Sequence, residues 1–120
     1  MSYERENNLG KLNISKQVIA NIAGGAATEC YGVVGMASQN FLKDGLSEIL
    51  KRENYAKGID IKQSDDGKMS LDIYIVIAYG IKISEIALEV QKKVRYVLES
   101  TLDITVTSVN VYVQDIKVIG

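Results

Sequence analysis

Residues 71–79 read Leu-Asp-Ile-Tyr-Ile-Val-Ile-Ala-Tyr and carry apolar side chains on both parities of an extended chain. Leu71, Ile73, Ile75 and Ile77 share one strand face, while the other begins polar at Asp72 and turns apolar through Tyr74, Val76 and Ala78. Burying each large side chain contributes roughly 1.5–3 kcal/mol, and an open edge would forfeit that gain and invite pairing with other chains. The segment is therefore predicted to be the central strand of a sheet.

Upstream, residues 1–9 are polar and aperiodic and read as a flexible N-terminal tail, followed by a single domain over residues 10–120 that opens with a short strand near 11–14. Ser15 suits a helix N-cap, and Val18, Ile22, Ala26 and Cys30 recur at helical spacing beside Ile19 and Ala23, which predicts their burial. Ala20, Ala23, Gly24, Gly25 and Ala27 keep the helix surface small, so a close approach to a neighbouring element is expected. Gly32 should end the helix, and Gly32-Val33-Val34-Gly35-Met36-Ala37 reads as a compact apolar turn. Phe41, Leu42, Leu46, Ile49 and Leu50 then suggest a short second helix, with Gly45 in its middle.

From Gly58 the period changes to two. Ile59 and Ile61 alternate with Asp60 and Lys62, and Ser64-Asp65-Asp66-Gly67 turns the chain into the central strand, which predicts a β-hairpin. After Gly80 the period is helical again: Ser84 is the expected cap, and Ile86, Val90, Val94, Val97 and Leu98 form the inward stripe. Glu85, Glu89, Lys92, Lys93, Arg95 and Glu99 lie outside it, with Glu89 and Lys93 in favourable four-residue spacing for an exposed pair. Val109, Val111 and Val113 resume strand alternation, whereas Ile116 and Val118 follow the opposite parity, so a bulge is expected near Gln114 and Asp115.

This order of elements predicts an α+β fold of two layers, a mixed β-sheet with helices packed mainly on one face. If the central and last strands are neighbours, the long helix between them makes their pairing parallel and right-handed.

A chain of 120 residues is long enough for one two-layer core without metal or disulfide staples. A formal charge of -1 argues against a dedicated polyanion binder, so nucleic acid is not an expected partner. With no histidine and one cysteine, the usual Cys-His and Ser-His-Asp nucleophilic sites and the common zinc spacings are out of reach. The residues assign no catalytic group, no metal and no cofactor. Cys30 falls on the predicted buried stripe and reads as a packed thiol, and Asp65-Asp66-Gly67 reads as a hairpin turn because it lacks the further oxygen ligands of a calcium loop. No disulfide is available within the chain, and residues 2–8 lack the apolar core of a signal peptide, which points to the cytoplasm. The apolar run ending at Tyr79 is far short of the ~20 residues that span a bilayer, so no direct membrane insertion is expected.

Several local groupings invite a functional reading. Lys92, Lys93 and Arg95 form the densest basic group, but flanking glutamates make it a solvated helix face. Gly32-Val33-Val34-Gly35 between two helices resembles the RNA-backbone clamp of KH domains; valines stand where that clamp is commonly basic, so a buried turn is preferred and KH-like RNA binding is the alternative function. Asp72 and Tyr74 on the central strand, with Asn110, Tyr112 and Gln114 on the last, share the parity opposite the isoleucine and valine core. Together they make a candidate interaction face, since tyrosine is enriched at interfaces.

The chain as a whole resembles the alkaline shock protein family, also called the Gls general-stress family, of Gram-positive bacteria. The resemblance spans residues 10–118. It is carried by Gly10-Lys11-Leu12-Asn13-Ile14-Ser15 before an Ile/Ala-rich helix, then Gly32-Val33-Val34-Gly35-Met36 and Lys57-Gly58-Ile59. Leu71-Asp72-Ile73-Tyr74-Ile75-Val76 ahead of Tyr79-Gly80, and Val109-Asn110-Val111-Tyr112-Val113-Gln114, complete it. The resemblance implies a non-enzymatic cytosolic protein of the cell-envelope or alkaline stress response that acts through protein partners. In that family some members are held at the membrane by a separate anchor protein and some self-associate, and there are no established catalytic residues to carry over.

Overall fold

The central strand is where its two apolar parities require it. In a computed structural model, which describes residues 2–7, 10–39 and 49–118, strand β5 (Met69–Ala78) has neighbours on both edges. Along one edge β6 (Val106–Lys117) runs parallel to it from Met69 to Ala78. Along the other, β4 (Ile59–Gln63) pairs antiparallel with its first half and β3 (Val33–Met36) antiparallel with its second, end to end. The sheet is therefore mixed, and Leu71, Ile73, Ile75 and Ile77 are fully buried on the face that meets the helices. The α+β class and the central position of β5 match the sequence pattern.

Helix α1 (Lys16–Thr28) begins as expected, with Ser15 Oγ accepting from the Val18 N–H at 3.2 Å. Its buried stripe differs from the prediction. Ile19, Ala20, Ala23, Gly24, Ala26 and Ala27 face the core, whereas Val18 is 45% exposed and Ile22 and Cys30 are only half-buried. The rotation has a steric reason: the small side chains let the helix approach closely, and Gly24 receives the ring of Tyr55 from a 3-10 helix at Arg52–Gly58. The periodicity gave no sign of that 3-10 helix.

The chain leaves α1 through Gly32 at φ 92, where a Cβ would meet Ile86 Cδ1 at 2.9 Å. The following residues correct the predicted turn: Val33–Met36 is strand β3, hydrogen-bonded into the sheet beside β5. Four residues with two valines satisfy their backbone polar groups better in a ladder than in a buried turn. The same finding removes the KH-like reading, because Gly32-Val33-Val34-Gly35 is not a loop between helices and Gly35 lies against the Ile49 side chain. The second helix expected around Phe41, Leu42 and Leu46 lies outside the described residues. At its far end Ile49 makes an isolated bridge with Ala37, and Leu50 is buried.

The hairpin between β4 and β5 is as predicted. Gly67 sits at φ 82, its N–H donates to the Ser64 carbonyl, and Asp66 accepts from Ser64 Oγ and from the Lys68 N–H. The turn uses both Asp66 oxygens, one on these donors and one on Lys68 Nζ at 3.7 Å.

Helix α2 (Ile83–Leu102) connects β5 to β6 and buries Ile86, Val90, Val94 and Leu98, with Val97 half-buried. Lys82, not Ser84, is the N-cap residue, so Ser84 falls within the first turn. Nor does the Glu89–Lys93 pair form. Lys93 Nζ reaches across to Glu29 Oε2 at 3.5 Å, joining the end of α1 to α2. Asp103 closes the helix in the left-handed region at φ 54.

Residues before Gly10 also depart from expectation. Ser2–Asn7 forms β1, paired antiparallel with β2 (Gly10–Ser15) in a two-stranded ribbon separate from the main sheet. The strand predicted near 11–14 exists, but its partner is the segment read as a tail.

Candidate functional site

The parallel ladder sets the geometry of the face opposite the helices. Asp72 stands beside Asn110 and Tyr74 beside Tyr112, so side chains of like parity on β5 and β6 meet directly. Asn110 Nδ2 donates to Asp72 Oδ1 at 2.9 Å. Asp72, only 7% exposed, has its other oxygen 3.4 Å from Lys62 Nζ on β4. Both carboxylate oxygens thus have partners, as a buried charge requires. The hydrogen bond to Asp72, and the charges of Asp72 and Asp60, hold the Lys62 ammonium above its ordinary pKa.

One step along the ladder the rings of Tyr74 and Tyr112 stack, with centroids 4.8 Å apart and planes 15° from parallel. Burial, then the neighbouring Asp72 carboxylate, then Tyr112 raise the Tyr74 phenol above its ordinary pKa.

Gln114 has a different role from the other members of the predicted face. Val113 pairs with Ile75 and Asp115 with Val76, so Gln114 is the extra residue of a bulge, at the place where the parity of the sequence breaks. Its Nε2 donates to the carbonyls of Ser38 and Gln39 at 3.2 Å, tying β6 to the chain that follows β3. Asp72, Tyr74, Asn110 and Tyr112 form one contiguous group, and Gln114 fixes its far end. Lys62 was missed as a member, although the alternation from Ile59 to Lys62 already placed it on this parity.

The group offers a stacked aromatic pair, an amide, a carboxylate and an ammonium on rigid strands. The raised pKa values of Lys62 and Tyr74 favour the ammonium and the neutral phenol, the forms that are not nucleophiles. Cys30 lies elsewhere, beside a cleft of about 760 Å³ that includes Ile81, Ile86, Glu89 and Lys93. Its thiol donates to the Ala26 carbonyl at 3.7 Å, and burial, reinforced by Glu89, pushes its pKa up, away from the thiolate.

Fold and face together define an α+β domain with its described helices on one side of a mixed sheet and a polar-aromatic group of side chains on the other. The chain belongs to the alkaline shock protein 23 family, which has a cell envelope-related function and whose pattern matches residues 4–118. The match begins inside β1, so residues 4–7 of the ribbon strand lie within the family's shared region. The chain is 49% identical over 118 residues to the uncharacterized protein YloU of Bacillus subtilis, covering 98% of each. It is 50% identical over 111 residues to the uncharacterized protein Spy1614 of Streptococcus pyogenes, covering 92% of this chain and 91% of that one. A second Bacillus subtilis protein, YqhY, is 33% identical over 112 residues, 93% of this chain and 81% of its own. No solved structure matches. Among the described residues no helix is long and apolar enough to cross a membrane.

Proposed function

We propose that the protein performs its envelope-related role as a non-enzymatic, cytoplasmic interaction module in the cell-envelope or alkaline stress response, with the sheet face opposite the described helices as its contact surface for protein partners. The carrying observation is the stacked Tyr74–Tyr112 pair beside the Asp72–Asn110 bond, on adjacent strands of the central ladder. Aromatic side chains already held in one geometry lose little conformational entropy on binding, and such residues dominate interface energetics. Tyr112 is 43% exposed, so the pair has surface left to bury. A membrane anchor protein, or a second copy of the chain, is the kind of partner that fits an envelope-related role without a membrane span in the described helices.

The test is a pull-down from native cells with the wild-type protein and a Tyr74→Ala, Tyr112→Ala double variant matched for thermal stability. Envelope-associated partners lost only in the variant would support the reading. An unchanged partner set would eliminate this face, and a reproducible absence of partners or self-association would overturn the module itself.

A further inference from the structure

Strand β6 is an outer strand: it pairs with β5 and with no other described strand. A long open edge is a template for pairing with another chain, and proteins ordinarily blunt it along its length. Here the blunting is confined to the ends. At the start, Glu99 of α2 accepts from the Val106 N–H at 3.0 Å and Arg95 Nη2 donates to the Thr107 carbonyl at 3.1 Å. At the far end, the Gln114 bulge interrupts the ladder. Between them, residues 108–113 pair with β5 in unbroken register and with no other described strand.

One stripe of α2 overhangs that stretch. Leu88, Lys92, Arg95 and Glu99 follow helical spacing and, with Tyr96 and Asn110, line a groove of about 600 Å³ between α2 and β6. Leu88 is 48% and Tyr96 70% exposed. Glu99 is engaged by the Val106 N–H, whereas neither Lys92 nor Arg95 has an ion-pair partner among the described residues. The groove therefore combines a strand edge with no described partner, two apolar or aromatic side chains, and two cations against the single carboxylate of Glu99, which is already engaged by the Val106 N–H.

We propose that this groove is a strand-addition site that takes an extended, acidic peptide segment of a partner protein, hydrogen-bonded main chain to main chain along residues 108–113. The inference rests on the reading that the protein works through protein contacts, and adds the mode of binding and the partner's chemistry. A strand added about 4.8 Å outside β6 directs alternate side chains under α2, where Leu88 and Tyr96 receive apolar groups and Lys92 and Arg95 receive carboxylates. Its other side chains emerge beside Asn110 and Tyr112. The edge selects a polypeptide over a nucleic acid, since only a peptide backbone supplies the matching row of N–H and C=O groups.

The test titrates the ¹⁵N-labelled full chain with a capped hexapeptide of alternating glutamate and valine. Amide shifts should concentrate on residues 108–113 and on α2 from Leu88 to Tyr96. A Lys92→Glu, Arg95→Glu variant should bind about tenfold more weakly, N-methylation of alternate peptide amides should abolish binding, and an alternating lysine–valine peptide should not bind. No binding, shifts confined to other surfaces, indifference to N-methylation, or equal binding of the lysine peptide would each overturn the proposal. So would a concentration-dependent dimer that protects the same amides without peptide, which would make a second copy the occupant. Failure here alongside partner loss in the tyrosine double variant would sink the edge site and leave the sheet-face reading standing.

Discussion

Asn110 and Asp72 stand opposite each other in the parallel ladder, and the Asn110 amide closes on a carboxylate that is almost out of contact with solvent. With Lys62 on the other oxygen, the asparagine is one of two groups that make this charge tolerable. Asn110→Ala is expected to destabilise the fold by about 1–3 kcal/mol, the range for leaving a buried polar group without its partner. Asn110→Asp should cost more, because it sets like charges side by side. Urea denaturation measures both, and wild-type stability in the alanine variant would mean that water satisfies Asp72.

Gly24 and Tyr55 give a second test in which two effects oppose each other. Replacing a mid-helix glycine by alanine ordinarily stabilises by roughly 0.5–1 kcal/mol. Here the new Cβ would sit 2.8 Å from Tyr55 Cγ, and overpacking of that kind costs about 1–3 kcal/mol. The steric term should win, so Gly24→Ala is expected to lower the melting temperature. In a Tyr55→Ala background the same change should become neutral or stabilising. An equal loss in both backgrounds would show that the ring is not the obstacle.

Ile75→Asp should abolish folding. Ile75 is fully buried on the central strand facing the helices, where no described group is positioned to pair a carboxylate. An unpaired buried charge costs several kcal/mol, on top of the lost apolar burial, against a total stability of about 5–15 kcal/mol for a domain of this kind. Circular dichroism should show no cooperative melt; a transition near the wild-type temperature would remove Ile75 from the core.

What was legible in the chain was whatever alternation encodes locally. Two apolar parities placed β5 in the middle, and the parity break between Val113 and Ile116 located the Gln114 bulge before any partner strand was known. The same alternation put Asp72, Tyr74, Asn110 and Tyr112 on one face. What escaped depends on partners distant in sequence. Residues 33–36 lie in a strand because β5 pairs with Val33, Gly35 and Met36, leaving Val34 in a bulge, and Lys93 pairs with Glu29 because the end of α1 meets the middle of α2. The buried face of α1 was misread because burial followed small size and the approach of Tyr55, not the largest apolar residues. That the tyrosines stack and that Lys62 reaches Asp72 required the register between strands.

The polar-aromatic face should make the fold sensitive to alkali. Burial first, then the Asp72 carboxylate and Tyr112, raise the Tyr74 phenol above its unfolded value of about 10. A raised folded pKa means that the neutral phenol's contribution is complete below the unfolded value and is lost as pH climbs through the folded one. Lys62 acts in the same direction, its ammonium held up chiefly by the hydrogen bond to Asp72, with its contribution present below about 10.4 and lost above the raised value. Stability is therefore expected to hold steady through neutral pH and fall at the alkaline end. Tyr74→Phe should flatten part of that fall, and Lys62→Met a further part. Denaturation midpoints across the alkaline range, read beside phenolate absorbance, separate the two contributions. In the wild type, one tyrosine should ionise later than the rest and coincide with part of the loss of structure. If Tyr74→Phe leaves both the late ionisation and the stability profile unchanged, the phenol at the centre of this face is not the group that titrates.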